Sequence, residues 1–553
     1  MFGIVTPIRP PSATCDLPPS DVPPPTPVTL PKCNPQLPDA SGPSGQRIHP
    51  SLVRFLQSLH RPNEVDESHF AALGTHVHVN VPAEQIVPDP SYMPSASGWD
   101  DMDLDEAKRN DSTFQRPLSN GRVSPETRIY LEKRAELSVE NQAAFRVVRR
   151  MKPAPGLPMV RLGSSYEFFR QLEFMASYWD DSSVSILPRT ASGNEQDPET
   201  TDTASRITYR TSAGTIMPPE FRHTTVTAFV KLVSYDFGCN IAPPRVEPRL
   251  YLTSPPVPDT QERNSPAPRS SYFTSGCVFV HRASTTREAA RVGIVDGPIA
   301  AVSARNTTRF NTPMESNIDF GRELLAALVT AQLRDREGKE EKRIGEGQWW
   351  ATEKRWGGGE GGPIGREVEG DAIIGDKDAV GTDSMVEGSL DSTNTQASSD
   401  KANAQGPGQS RELPLRGPPL NKKMRRTLTL YDRYRMVRLP SSNWDKKARY
   451  AAIGKVKGAG YDDVFVISSL FHHLCIMRVR VPDRLLAVFG GAPEDGAEEE
   501  KEGLSWGRLE CWRSSWLDLF LVKDRLEAMR IIWGVMAWGM RQTDGGDVRM
   551  GNV

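Results

Sequence analysis

The stretch WLDLFLVKDRLEAMRIIWGVMAWGM, Trp516 to Met540, is the best-organised piece of the 553-residue chain. Leu519, Val522, Leu526, Met529, Trp533, Met536 and Met540 recur at spacings of three and four, which places them on one face of a single α-helix. Lys523, Asp524, Glu527 and Arg530 fall on other faces, so the first half is amphipathic. From Ile531 onward nearly every residue is apolar, which implies burial on all sides. Such a helix needs packed partners, and Trp533 is expected to meet them within 462–489.

Upstream of it, helices are read at 428–438, 443–453 and 462–478. A shorter one begins with Pro482 in its first turn and stops at Gly490-Gly491, and an acidic loop from Glu494 to Glu502 follows. The expected fold class is therefore an α+β region, about 160–355, followed by an all-α C-terminal region, 427–541, with extensive intrinsic disorder. Residues 356–426 read as a low-complexity linker and 542–553 as a disordered tail. At the other end, 1–47 is a disordered Pro-rich arm with thirteen prolines, and 48–150 holds short helices and linkers.

Within the α+β region, Ser164 and Glu167 have the spacing of a capping box before Phe168, Leu172, Met175 and Trp179. Thr224 to Phe237 reads as helix. Ile207–Tyr209, Cys277–Val280, Val292–Val295 and Ile299–Val302 read as strands, the last two joined by a turn at Asp296-Gly297. Asn317 is the expected cap of a helix whose buried stripe is Leu324, Leu325, Leu328 and Ala331. Earlier helices are expected after Pro50 and from Ser124 to about Arg150.

Composition bounds the function classes. Six cysteines are scattered without a Cys-x-x-Cys pair, which removes support for a disulfide scaffold or zinc ribbon and favours a reducing compartment. The N-terminus lacks a signal-peptide layout, and no apolar run approaches the ~20 residues of a membrane span. The net charge of −2 leaves any electrostatic preference local. These features point to a soluble intracellular protein.

The clearest local signal is 416–458, where thirteen Lys and Arg face only Asp432 and Asp445, with Tyr431, Tyr434, Trp444 and Tyr450 interleaved. Cations release counterions from phosphate backbones and aromatic faces stack on bases, so Lys422, Lys423, Arg425, Arg426, Arg433, Arg435, Arg438, Lys446 and Lys447 are nucleic-acid or nuclear-import candidates. A solvated helical face is the plainer account of the same charges. Trp349, Trp350 and Trp356 are partner-binding candidates in a polar stretch, or anchors of the loop onto a domain.

His76-Val77-His78 alternates so that both imidazoles share one side of a strand, enough for two metal ligands. No companion ligand set follows in sequence, so no metal site is assigned. His472 and His473, on the expected 462–478 helix, would diverge by about 100° and not share an ion. Gly357–Gly365 lacks the Gly-Lys-Ser/Thr end of a phosphate loop. Cys239 and Cys277 sit in apolar strings and read as core. No Gly-x-Ser-x-Gly elbow, kinase set or His-Glu-x-x-His is read in the sequence. No catalytic residue and no cofactor is expected. The leading expectation is a non-enzymatic interaction or scaffold protein, nuclear or nucleocytoplasmic, with a protein partner; a nucleic-acid-associated regulator and an enzyme of unrecognised type are the alternatives. The sequence does not fix the oligomeric state.

Overall fold

Residues 461–482 form a β-hairpin, not a helix, and this overturns the all-α reading of the C-terminal region. The computed structural model describes residues 26–32, 51–110, 115–152, 160–179, 210–218, 221, 223–242, 248–255, 270–282, 294–305, 310–337, 353–354, 449–494 and 504–543. Val464, Val466, Ile467, Ile476, Val479 and Val481 are β-branched, and the hairpin is covered on both faces. A strand buried on both faces is a nearly continuous apolar run, so it loses the period of two that marks a half-buried strand. Leu470 pairs with His473, and Phe471 takes φ +53° in the tight reversal between them.

The strands of the main sheet are β1 (Thr75–His78), β2 (Cys239–Ala242), β3 (Val278–Arg282), β4 (Ala300–Arg305), β5 (Tyr461–Leu470), β6 (His473–Pro482), β7 (Leu509–Arg513) and β8 (Leu517–Asp518). Their order is β1-β7-β6-β5-β4-β3-β2, with β8 beside the start of β6. β1 runs parallel to β7 and β4 parallel to β5, and the other pairs are antiparallel. The sheet is thus mixed, and it draws strands from both ends of the chain.

Helices cover both faces: α1 (Thr127–Leu137), α2 (Tyr166–Ala176), α3 (Thr224–Ser234), α4 (Pro313–Arg334), α5 (Asp483–Phe489) and α6 (Val522–Met540). α4 is the crossover between parallel β4 and β5, and it packs with α5 on the face formed by Val464, Val466, Met477, Val479, Leu509 and Cys511. Its start is fixed by a capping box of Thr312 and Glu315 with Pro313 at the first position, so Asn317 lies inside the helix. α5 matches expectation, with Pro482 before it and Gly490 closing it.

On the opposite face, α6, α3, α2 and α1 bury Phe465, Ile467, Leu474, Ile476 and Val302. α6 begins at Val522, later than its apolar period suggests. Asp518 accepts a hydrogen bond from the backbone of Phe520 at 2.9 Å, a local turn that stops the helix from extending back over β8. Trp533 is 2 % exposed, but its ring neighbours are Trp99, Tyr130 and Phe237, all far upstream of 462–489. Gly534 leaves room for Met93 and Val87 against the helix, where a Cβ would collide with Met93 Sδ.

The helix expected from Ser124 to Arg150 is two, α1 and Asn141–Val148. The buried Arg525 of α6 fills the break: its guanidinium donates to Leu137 O at 2.9 Å, Val139 O at 2.9 Å and Asn141 Oδ1 at 2.6 Å. Carbonyls left over at a helix end need such a donor when buried. Ser164 does not cap α2; its hydroxyl donates to Glu136 instead. Ile294–Asp296 and Ala300–Arg305 are strands as expected, yet they do not pair with each other; the first joins Arg449–Ala451 and the second the main sheet. Ile207–Tyr209 lies outside the described residues.

Candidate functional site

β1 is an edge strand, and its alternation places Thr75 and Val77 in the core and His76 and His78 outward. Gly74 sets where it starts. It takes φ +67°, and a Cβ there would meet Leu504 Cδ1 at 2.6 Å, while its carbonyl accepts from Leu509 N at 2.9 Å. Parallel pairing then sets His76 opposite Glu510 and His78 opposite Trp512.

Two rows of side chains follow from register. One runs His76, Glu510, Arg480, Asp463 across β1, β7, β6 and β5; the next runs His78, Trp512, Arg478, Phe465. In the first row, Glu510 Oε2 lies 3.0 Å from His76 Nδ1 and 3.0 Å from His78 Nε2. Arg480 pairs with Asp463 through two contacts, 3.0 and 3.1 Å. In the second row the Trp512 indole stacks on His78, ring centroids 5.5 Å apart, and Arg478 lies 3.6 Å from its centroid. This packing holds His78 from behind.

Burial pushes the Glu510 carboxyl up, but hydrogen bonds from His76 and His78 outweigh it and hold the group below the usual carboxylate range. The side chains of His76, His78 and Glu510 are 51, 38 and 26 % exposed, so the cluster is open to solvent. One ligand atom from each lies within 4.8 Å of the others. Two imidazole nitrogens and a carboxylate oxygen form a donor set suited to Zn²⁺ and similar borderline divalent ions, and three protein ligands leave a position for water or a solute.

No family model, curated protein or solved structure matches this chain. The site therefore has to be weighed on its own chemistry.

His76 and His78 share one side of a strand, as their alternation requires. Glu510 is the side chain of the cluster that the sequence reading missed. Its signal was present as the alternation of Leu509 and Cys511 with Glu510 and Trp512, but the pairing to β1 bridges more than 430 residues. Lys422, Lys423, Arg425, Arg426, Arg433, Arg435, Arg438, Lys446, Lys447, Trp349, Trp350 and Trp356 all lie outside the described residues.

Other chemistry has less to stand on. Gly503-Leu-Ser-Trp-Gly507 does carry the Gly-x-Ser-x-Gly spacing, contrary to the motif reading above. A nucleophile elbow joins a strand to a following helix, whereas Ser505 precedes a strand and its hydroxyl donates to Glu494 O. Cys239 and Cys277 are buried, and burial pushes both thiols up to about 12, the wrong direction for a nucleophile. Arg305, Asp319, Glu323 and Arg513 form a buried ionic cluster under α4, with Arg305 Nε 2.6 Å from Asp319 and Glu323 Oε1 3.0 and 3.1 Å from the two arginines. These four are each at most 5 % exposed, which suits a structural role. Among the described residues no helix is long and apolar enough to cross a membrane.

Proposed function

We propose that this protein binds a divalent transition-metal ion of the Zn²⁺ class at His76, His78 and Glu510. The observation that carries the reading is the convergence of three ligand atoms, from β1 and β7, within 4.8 Å. Glu510 lies between the imidazoles and already draws both nitrogens toward one oxygen. An ion would replace those two hydrogen bonds with bonds of about 2.0–2.2 Å and keep at least one coordination position open toward solvent. A water held there would be made more acidic by the ion.

Isothermal titration of the chelator-stripped full-length protein with Zn²⁺ tests this reading. Replacing His76 and His78 together with Gln should weaken the corresponding binding by more than about tenfold. Equal affinity in wild type and variant would remove the proposal.

The interaction or scaffold reading draws on a separate observation. A cavity of about 260 Å³ lies between α4, the helices Leu52–Gln57 and Glu67–Ala72, and the strands Arg249–Thr253 and Ser270–Thr274. Its walls are apolar and include Leu59, Val65, Phe70, Leu325 and Leu328. Under this reading, Leu325→Trp would block the cavity and abolish capture of a partner while leaving Zn²⁺ binding intact. Unchanged partner capture would count against it.

A further inference from the structure

A second group of ligating side chains lies at the opposite end of β6. From Arg480, which pairs with Glu510, back to His473 is seven residues, about 23 Å along a strand. The two clusters are thus separate.

Here the hairpin changes what the adjacent histidines can do. His472 is in the reversal and His473 opens β6, so neither is on a helix. Pairing of β6 with β8 sets His473 opposite Asp518, and Leu519 N donates to His472 O at 2.9 Å. Both imidazoles consequently face one carboxylate. His472 Nε2 is 3.9 Å from Asp518 Oδ1, and His473 Nε2 is 4.0 Å from Asp518 Oδ2.

Those gaps exceed hydrogen-bond range. His472 is 5 % exposed and walled by Trp179 and Phe520, with ring centroids 5.5 and 4.8 Å away. Asp518 is held in place by the Phe520 amide that it accepts from. His472 is buried and His473 partly so, and both Nε2 atoms face the Asp518 carboxylate from beyond hydrogen-bond range. A cation between them would bind one ligand atom from each of the three groups. At the tetrahedral angle, bonds of about 2.0–2.2 Å would hold an imidazole nitrogen and a carboxylate oxygen about 3.4 Å apart, so each gap closes on an ion by roughly half an ångström.

We propose that His472, His473 and Asp518 form a second, enclosed site for a divalent transition ion. It would fasten the β5–β6 reversal to the segment that leads into α6. Imidazole ligands select an ion such as Zn²⁺ over Mg²⁺ or Ca²⁺. The inference does not depend on the edge cluster being a metal site.

The test uses full-length protein stripped with chelator and titrated with Co²⁺, read by its d–d absorption. The His76→Gln/His78→Gln variant isolates the enclosed cluster and should take up one equivalent. Adding His473→Gln should weaken that uptake by more than about tenfold, with the metal-free circular dichroism and Tm unchanged. No uptake by the double variant, or uptake indifferent to His473→Gln, overturns the proposal. Should His473→Gln not fold, Zn²⁺ X-ray absorption on the double variant decides: two imidazoles in the first shell support the site, one or none overturns it. The two proposals fail differently. One equivalent in both wild type and double variant removes the edge site and keeps this one; one in wild type and none in the double variant does the reverse.

Discussion

Nε2 of His78 lies 3.0 Å from Oε2 of Glu510, although 432 residues separate the two in sequence. The contact exists because an edge strand from the N-terminal part of the chain pairs parallel with a strand from the C-terminal part. It is a consequence of topology, and it gathers side chains of metal-ligating type that no local pattern would join.

Glu510→Gln keeps the shape of the side chain and removes its charge. The Zn²⁺ affinity of the edge site should fall by more than about tenfold. Stability should change by no more than about 1 kcal/mol, as for other partly exposed ion pairs. A titration and a urea denaturation on the same preparation check both. A large loss of stability would mark Glu510 as a structural clamp between β1 and β7.

Gly74→Ala should act on the site from a distance. The left-handed backbone at φ +67° costs a residue with a Cβ about 1–3 kcal/mol, and the clash with Leu504 adds to it. Since Gly74 begins β1, Zn²⁺ affinity should drop together with Tm. Unchanged affinity and Tm would mean that the turn adapts freely.

How much of this could be read from sequence differs by element. The stripe of α6 and the Pro482-to-Gly490 limits of α5 were legible because capping and a period near 3.6 are local signals. The hairpin 461–482 was not, because burial on both faces erases the alternation that separates strand from helix. That misreading also hid the meeting of His472 and His473 at Asp518. The pair His76 and His78 was visible in its alternation; Glu510 became visible only with the parallel pairing of β1 and β7.

Arg525 carries a charge on α6, yet it is fully buried. Arg525→Met would leave Leu137 O and Val139 O without their donor and should cost about 2–5 kcal/mol. Lys should not rescue it, because one ammonium cannot reproduce the guanidinium fork. Chemical denaturation measures both variants; equal stability of wild type and Arg525→Met would refute the account.

Burial pushes the Asp319 carboxyl up to about 6 in spite of Arg305, with Glu323 adding to the effect. A carboxylate raised in the folded state binds its proton more tightly there than in the unfolded chain. Its contribution is fully present below the unfolded value of about 3.9 and is lost as pH rises through about 6. Asp319→Asn cannot titrate, so its stability relative to wild type should improve as pH rises from about 4 to about 6.5. Urea denaturation across that range checks the sign. A relative stability that stays flat or worsens with pH would show that Arg305 keeps Asp319 ionised throughout.

Anomalous diffraction from crystals of the full-length protein grown with Zn²⁺, recorded at the zinc edge, is the most direct test. The account predicts a peak within about 2.0–2.2 Å of His76 Nδ1, His78 Nε2 and a Glu510 carboxylate oxygen. A map without a peak there, with both imidazoles still hydrogen-bonded to Glu510, would contradict it.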